Sequence, residues 1–266
     1  MNTADVEETM STVDDAGVQD HGDAQDRVDP GPTLVLTAQE LTVLEQAHAA
    51  GLGTALTASG EEQEEDGQPE QLAQARWSLT ARGLLTLDGG LPEGTDLGLL
   101  VQTFLDVRAG AAALVVVERL MGEGRRDLRL LHLLPEGGVV EDVHPEGLHG
   151  FDLALTGADL VEAVTTMVVP GEAEPGQGQD LTVEDVSLLP VLLHHPTVLA
   201  ELTVVDETGE RGHLAALGPG GCWAGPRPDG PEPLRLAPVG PGWVEEVVTG
   251  WVHATVRPAS AGTMAP

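Results

Sequence analysis

The feature that most constrains this chain is that part of it occurs twice. The stretch LALTGADLVEAVTTMV, residues 153–168, is echoed by LAPVGPGWVEEVVTGW, residues 236–251, with seven of the sixteen positions identical. At a constant offset of 83 the match runs back without a gap, laying residues 115–168 over 198–251, and fifteen of these 54 positions are identical. Among them are Val115/Val198, Glu118/Glu201, Leu131/Leu214, Leu134/Leu217, Gly137/Gly220 and Gly147/Gly230. In a composition rich in Gly, Leu, Val and Ala, unrelated segments share roughly one residue in ten, so the excess reads as an internal duplication.

Turn chemistry gives the duplicated unit its outline. GEGRR faces DETGER, PEGG faces GPGG and PEG faces PDG at equal positions, each pair separating short β-rich segments. Such punctuation predicts a four-stranded antiparallel meander in each copy. An amphipathic helix closes each unit, with Leu160, Val161, Val164 and Val168 as the apolar face in copy one and Trp243, Val244, Val247 and Trp251 in copy two. Upstream, DLGLLVQTFLDV (96–107) and DLTVEDVSLLPV (180–191) match at offset 84 and read as one further helix per half. The expected fold class is α+β, with two similar halves of helix, meander and helix related by a quasi-two-fold.

A smaller unit precedes the repeat. In TAQELTVLEQAHAAGL, Thr37 stands three residues before Glu40 in the capping-box arrangement, and Leu41, Leu44 and Ala47 follow at helical spacing. PEQLAQARWSLTARG repeats the helical period, Gly83 supplies a left-handed stop, and LLTL (84–87) reads as a strand. Helix, helix, strand is the outline of a winged-helix-like lobe. The expected divisions are an acidic tail at 1–32, this lobe at 33–95, the halves at 96–168 and 180–256 joined by a linker at 169–179, and a tail at 257–266. A second acidic patch, SGEEQEEDGQPE at 59–70, reads as a surface loop.

Charge excludes several functions. The formal net charge is −32, from 44 acidic and 12 basic residues, and every basic residue is Arg. Such a surface repels nucleic acid and anionic lipid, so neither is expected as a partner. The N-terminus has no basic start or apolar run of a secretory signal, and AGAAALVVV (109–117) is too short for a span of about 20 apolar residues. One cysteine, Cys222, makes a disulfide scaffold or a cysteine zinc site impossible within the chain. A cytoplasmic protein is the expectation.

Candidate chemistry is sparse. His194 and His195 are adjacent and His144 and His149 flank a turn, but no paired carboxylate or cysteine at ligand spacing joins them. Cys222 aligns with Val139 and reads as a small buried hydrophobe rather than a nucleophile. No nucleophile elbow, phosphate loop or zincin sequence occurs. Neither enzyme activity nor a cofactor is expected. Arg76 and Arg82 offer a DNA-binding helix too little positive charge to hold phosphates. The one basic cluster, MGEGRRDLR, puts Arg125, Arg126 and Arg129 at and after the first hairpin turn of copy one, where copy two is acidic. With Met121 and Gly124, these residues form the candidate partner-binding site.

The order LTAQELTVLEQA, ARWSLTARGLL, DLGLLVQTFLDV, antiparallel strands and LVEAVTTMV resembles the EspG family of type VII secretion chaperones, over roughly residues 34–255. Trp77, Leu79, Arg82, Gly83 and Leu84 carry a W-x-x-L-x-x-R-G-L phrase of similar spacing. What the resemblance implies is a cytosolic, non-enzymatic α/β protein of quasi-two-fold symmetry. It would shield the apolar tip of a helical PE/PPE-like or WXG-like secretion substrate, with the loop at residues 120–127 taking part. The acidic tail, the absence of Tyr and the extreme charge depart from that family. Alternative readings are a winged-helix regulator or a structural protein without a dedicated client. The sequence sets no oligomeric state.

Residues 1–32 hold nine acids, one Arg and few large apolar side chains, so burial there cannot offset the cost of ordering. Their removal is expected to leave the melting temperature unchanged, whereas a fall of several degrees would show that the tail packs on the body.

Overall fold

A computed structural model describes residues 33–52, 68–193, 196–228, 230 and 232–256; both terminal tails and most of the 59–70 patch lie outside them. The protein is α+β. Among the described residues, ten strands form one antiparallel sheet and six α-helices pack on it.

The chain opens with β1 (Leu34–Thr37) and α1 (Ala38–Gly51). Thr37 caps α1 through the full capping box: the Glu40 amide donates to Thr37 Oγ1 at 3.1 Å, and the Thr37 amide donates to the Glu40 carboxylate at 2.9 Å. Next come α2 (Gln68–Ala81) and α3 (Asp96–Gly110). The first meander is β2 (Ala113–Met121), β3 (Arg126–Leu134), β4 (Gly137–Val143) and β5 (Leu148–Ala154), followed by α4 (Gly157–Val168). A short strand β6 (Leu181–Val183) and a single turn α5 (Leu189–Leu192) precede the second meander. That meander is β7 (Val198–Asp206), β8 (Gly209–Leu217), β9 (Cys222–Pro226) and β10 (Leu234–Val239), followed by α6 (Trp243–Val256). The strand order is β1-β5-β4-β3-β2-β7-β8-β9-β10-β6. The meanders therefore meet at β2 and β7 and run outward in mirror order, each with an added strand at its outer edge.

Period-2 alternation divides the side chains between two faces. On one face Ala113, Val115, Val117, Leu131, Leu133, Val198, Ala200, Leu202 and Val204 are buried under α4 and α6. On the other face, at the first meander, Val139 and Phe151 share a core with Leu34, Leu36, Leu44, Leu79, Leu84 and Phe104. The N-terminal helices thus pack directly on the first meander. At the second meander that face carries a small core of Val183, Leu189, Leu193, Ala216, Leu234 and Leu236.

Three sequence expectations are corrected. Residues 180–191 do not form one helix: Leu181 and Val183 pair with Leu236 and Leu234 of β10, so alternating apolar residues add a strand at the sheet edge, and helical structure begins only at Val186. LLTL is a turn rather than a strand, because both the amide and the hydroxyl of Thr86 donate to the Gly90 carbonyl, at 2.8 and 2.9 Å. That local closure uses the backbone a ladder would need, and the winged-helix outline loses its wing.

The third correction concerns the repeat offset. Val115 pairs with Leu131 on the helix-covered face, but Leu214 pairs with Glu201 on the opposite face. The first hairpin reverses over residues 121–125 and the second over 207–208. This odd difference in loop length flips the face of every aligned residue in the following strand. In the closing helices the buried sets are Leu160, Val164, Met167 and Val168 against Val244, Val248, Trp251 and Val252; these match at offset 84, not 83. Leu131 is fully buried and Leu214 half-buried. Leu131→Ala should therefore cost about 2–5 kcal/mol in urea unfolding and Leu214→Ala less than half of that. Equal costs would support the gapless alignment.

Candidate functional site

Among the described residues, the centre of the sheet is covered by helices on one face only. On the face away from α4 and α6, the middle strands present Leu114, Val116, Leu128, Leu130 and Leu199, all half-buried, with Leu120 and Val205 about 40% exposed (41% and 40%). Packing by α3 reaches β3 and β4; on the other side the turn around α5 leaves Leu188, Val191 and Leu192 exposed.

Two carboxylates sit in the middle of this apolar floor. Glu118 and Glu201 stand directly opposite each other across the β2–β7 seam, an arrangement that like charges disfavour. Each is neutralised from its own half: Arg126 pairs with Glu118, and Arg227 pairs with Glu201 at 2.6 Å and also with Glu210. Arg227 lies across Gly212, where an added Cβ would stand 3.2 Å from its Nε. A compensated polar centre within an apolar floor suits a partner that offers both apolar anchors and hydrogen-bonding groups.

The five residues read from the sequence are placed on different sides of the sheet. Met121 ends β2, half-buried against the helix-covered core. Gly124 holds a φ of 76° in the tight turn Gly122–Gly124, a backbone region that glycine enters without strain. Arg125 is exposed and pairs with Asp127 at 3.2 Å. Arg126 is exposed and faces the uncovered floor. Arg129 points the other way: it holds Asp142 through two bonds of 2.6 and 2.8 Å and donates to the Ala163 carbonyl of α4 at 2.6 Å. Its guanidinium fixes α4 to the sheet. Arg119 does the same from β2, bonding Asp127 and the Met167 carbonyl.

The phrase Trp77 to Leu84 has a packing explanation. Leu79 and Leu84 are buried, Gly83 takes a φ of 72°, and Arg82 donates to Glu40 at 3.1 Å and to the Val35 carbonyl at 2.8 Å. Arg82 thereby occupies a carbonyl on the outer edge of β1, and is tied into the fold rather than available to phosphate. Trp77 is the exposed large apolar side chain of the phrase, at 71%.

Sequence reasoning missed a buried charge cluster beside the floor. Glu141 of β4 is fully buried and receives His132 Nε2 at 2.8 Å, His149 Nδ1 at 2.7 Å and Arg108 Nε at 2.9 Å; Arg108 also pairs with Glu45 of α1. Burial alone would raise this carboxyl, but the His132 bond, the Arg108 charge and the His149 bond outweigh it and hold it at about 2. The available signal was the pair Glu141 and Asp142 inside β4, with histidines on both neighbouring strands. Nearby, His48 bonds Asp106 at 2.8 Å. Among the described residues no three His, Cys, Asp or Glu side chains are grouped to hold a metal; His194 and His195 lie outside those residues. Cys222 is fully buried, and burial pushes its thiol up, away from the thiolate a nucleophile needs.

No protein-family model matches the chain, and no curated protein is similar to it in sequence. Among solved structures the chain is similar to EspG5, the type VII secretion system chaperone of Mycobacterium tuberculosis, solved in complex with a PE25–PPE41 dimer. The TM-score is 0.51 at 12% identity, over 84% of this chain and 96% of that one. The likeness is one of fold.

The Glu141 cluster sets an acid limit on that fold. A carboxyl held at about 2 when folded and near 4.5 when unfolded stabilises the protein fully above the unfolded value, and this contribution is lost as pH falls from about 5 toward 2. The loss should approach about 3 kcal/mol in urea unfolding. Glu141→Gln should be less stable at neutral pH and show a flatter decline between about pH 5 and 3; an equally steep decline would place the acid sensitivity elsewhere.

Proposed function

We propose that this chain is a non-enzymatic, cytoplasmic, chaperone-like binding protein that holds a helical protein partner against the uncovered face of its sheet. The observation that carries this reading is the apolar floor of Leu114, Val116, Leu128 and Leu130, bordered by Leu199 where the core around α5 begins, left without a covering helix among the described residues at the centre of a ten-stranded sheet. Support comes from the fold shared with EspG5, which was solved holding a PE25–PPE41 dimer. By that analogy the partner is a helical pair of the PE/PPE or WXG kind. Among the described residues no helix is long and apolar enough to cross a membrane.

The architecture suits this work. The two meanders are duplicated halves related by a quasi-two-fold that passes between β2 and β7, since both run outward in mirror order from that seam. Residues 33–95 add a lobe to the first half, residues 169–179 join the halves, and the second half retains only the short turn around α5 at the matching place. The floor lies between these two unequal walls, so a helical partner meets an asymmetric site. The Gly124–Arg126 turn stands at its edge, where Arg125 and Arg126 meet carboxylates of the partner. Such rim pairs set orientation and association rate more than affinity.

Leu130→Glu combined with Val205→Glu should weaken binding of a co-expressed PE/PPE-type helical pair by at least about 100-fold while leaving the melting temperature within a few degrees. Arg125→Glu with Arg126→Glu should slow association by roughly tenfold. Undiminished binding by the first variant would remove the sheet face from the function, and salt-sensitive binding of duplex DNA would favour a regulator.

A further inference from the structure

The two closing helices are fastened to the sheet by residues that answer one another across the seam. Val117 faces Leu202 at its middle. Moving outward, Val117 pairs with Arg129 and Leu202 with His213; the next strand sets Asp142 opposite Arg129 but Pro226 opposite His213. Arg129 pins α4 with a permanent charge, held by Asp142 and the Ala163 carbonyl. At the corresponding place beneath α6 the fastener is a histidine.

The half-buried ring of His213 lies against two tryptophans of α6. Trp243 stands edge to face, with ring centroids 5.4 Å apart and planes at 80°, and Trp251 is tilted by 32° at 5.8 Å. The Nδ1 atom is buried with no hydrogen-bond partner among the described residues. Around the ring stand uncharged groups: Leu202 of β7, Pro226 of β9, Trp243 and Trp251. The charged side chains on this face of the second half lie at its margins. Arg211 of β8 is bound to Asp206 at 2.6 Å, Arg235 of β10 is exposed, and Glu246 is exposed at the flank of α6. Glu245 and His253 of α6 line the side toward α4, and Glu174 acts on Cys222 at the other end of β9. A buried imidazolium needs a counter-ion, and Pro226 stands where Asp142 supplies one in the first half.

We propose that His213 is a proton-operated latch on α6. Neutral, the ring fills the space between Trp243 and Trp251 and seats the helix on β8. Protonated, it carries an unpaired charge into that contact, and the helix comes away from the second meander. α4 stays in place, because the guanidinium of Arg129 keeps its charge throughout. Burial lowers the folded midpoint of His213 below the ordinary 6.5, against the opposing Gly225 carbonyl. Its contribution is therefore whole above about 6.5 and is lost as pH falls toward the folded midpoint. The second half thus begins to loosen at a higher pH than the Glu141 cluster of the first. The latch does not depend on any occupant of the uncovered face.

Two measurements on the full chain test this. In an NMR titration the His213 ring should have its midpoint below 6.5. Amide hydrogen exchange at about pH 7.5 and about pH 5.5 should show protection in α6 falling on the order of 10-fold while protection in α4 holds. His213→Leu should remove the pH dependence of α6. Pro226→Asp, which sets a carboxylate where the first half has Asp142, should raise the midpoint of the ring and keep α6 protected at about pH 5.5. A His213 midpoint at or above 6.5, a loss of α6 protection that persists in His213→Leu, or an equal loss in Pro226→Asp would overturn the proposal.

Discussion

The antiparallel seam between β2 and β7 is the constraint on which the structure depends. Nine residue pairs, from Ala113 opposite Asp206 to Met121 opposite Val198, join two meanders into one sheet. At its middle Val117 faces Leu202, both fully buried. Side chains alternate across a strand, so this register assigns each face of the sheet. Odd residues of β2 go under α4 and α6, and even residues go to the uncovered face. A slip of β2 by one residue against β7 would bury Glu118 under the helices and expose Val115 and Val117. The seam thus creates both the core and the sheet face left uncovered among the described residues.

Arginine placement follows from the same alternation. In a chain of net charge −32, the cations are few and each position matters. Arg119 and Arg129 point to the helix-covered face and tie carbonyls of α4 to β2 and β3. Arg126, three residues before Arg129, points to the opposite face and neutralises Glu118. Arg82 covers the outer edge of β1 at Val35, where an unpaired carbonyl would invite another strand. Arg108 holds Glu141 under α3. The apparent basic cluster of the first hairpin is therefore three separate devices.

Local signals in the sequence identified local elements. The Thr37–Glu40 box, the Gly83 stop, the turn glycines and the helical period of 157–168 each correspond to structure, because capping and turn geometry depend on residues a few positions apart. The two four-stranded meanders were legible from the repeated turns. What failed was register, since identical Leu residues at a constant offset carry no information on which face they occupy, and loop length decides that. The strand β6 was also misread: the match of 180–191 to the helical 96–107 suggested a helix, whereas Leu181 and Val183 alternate with the period of a strand on the open edge of β10. The hairpin turn at Gly122–Gly124 was marked by its glycines. The apolar floor was not, because half-buried leucines in a strand look like core until the absence of a covering helix is seen. The Glu141 cluster joins β3, β4, β5 and α3 and has no short-range signature.

Methyl spectroscopy of leucine and valine side chains measures the central claim most directly, since the chain has no Ile and its Leu and Val residues line both faces. On addition of a helical PE/PPE-type partner, the methyl resonances of Leu114, Val116, Leu130, Leu199 and Val205 should shift, while those of Val115, Val117 and Leu202 beneath α4 and α6 should stay in place. A footprint on the α1–α2 surface with the sheet face unmoved would contradict the account.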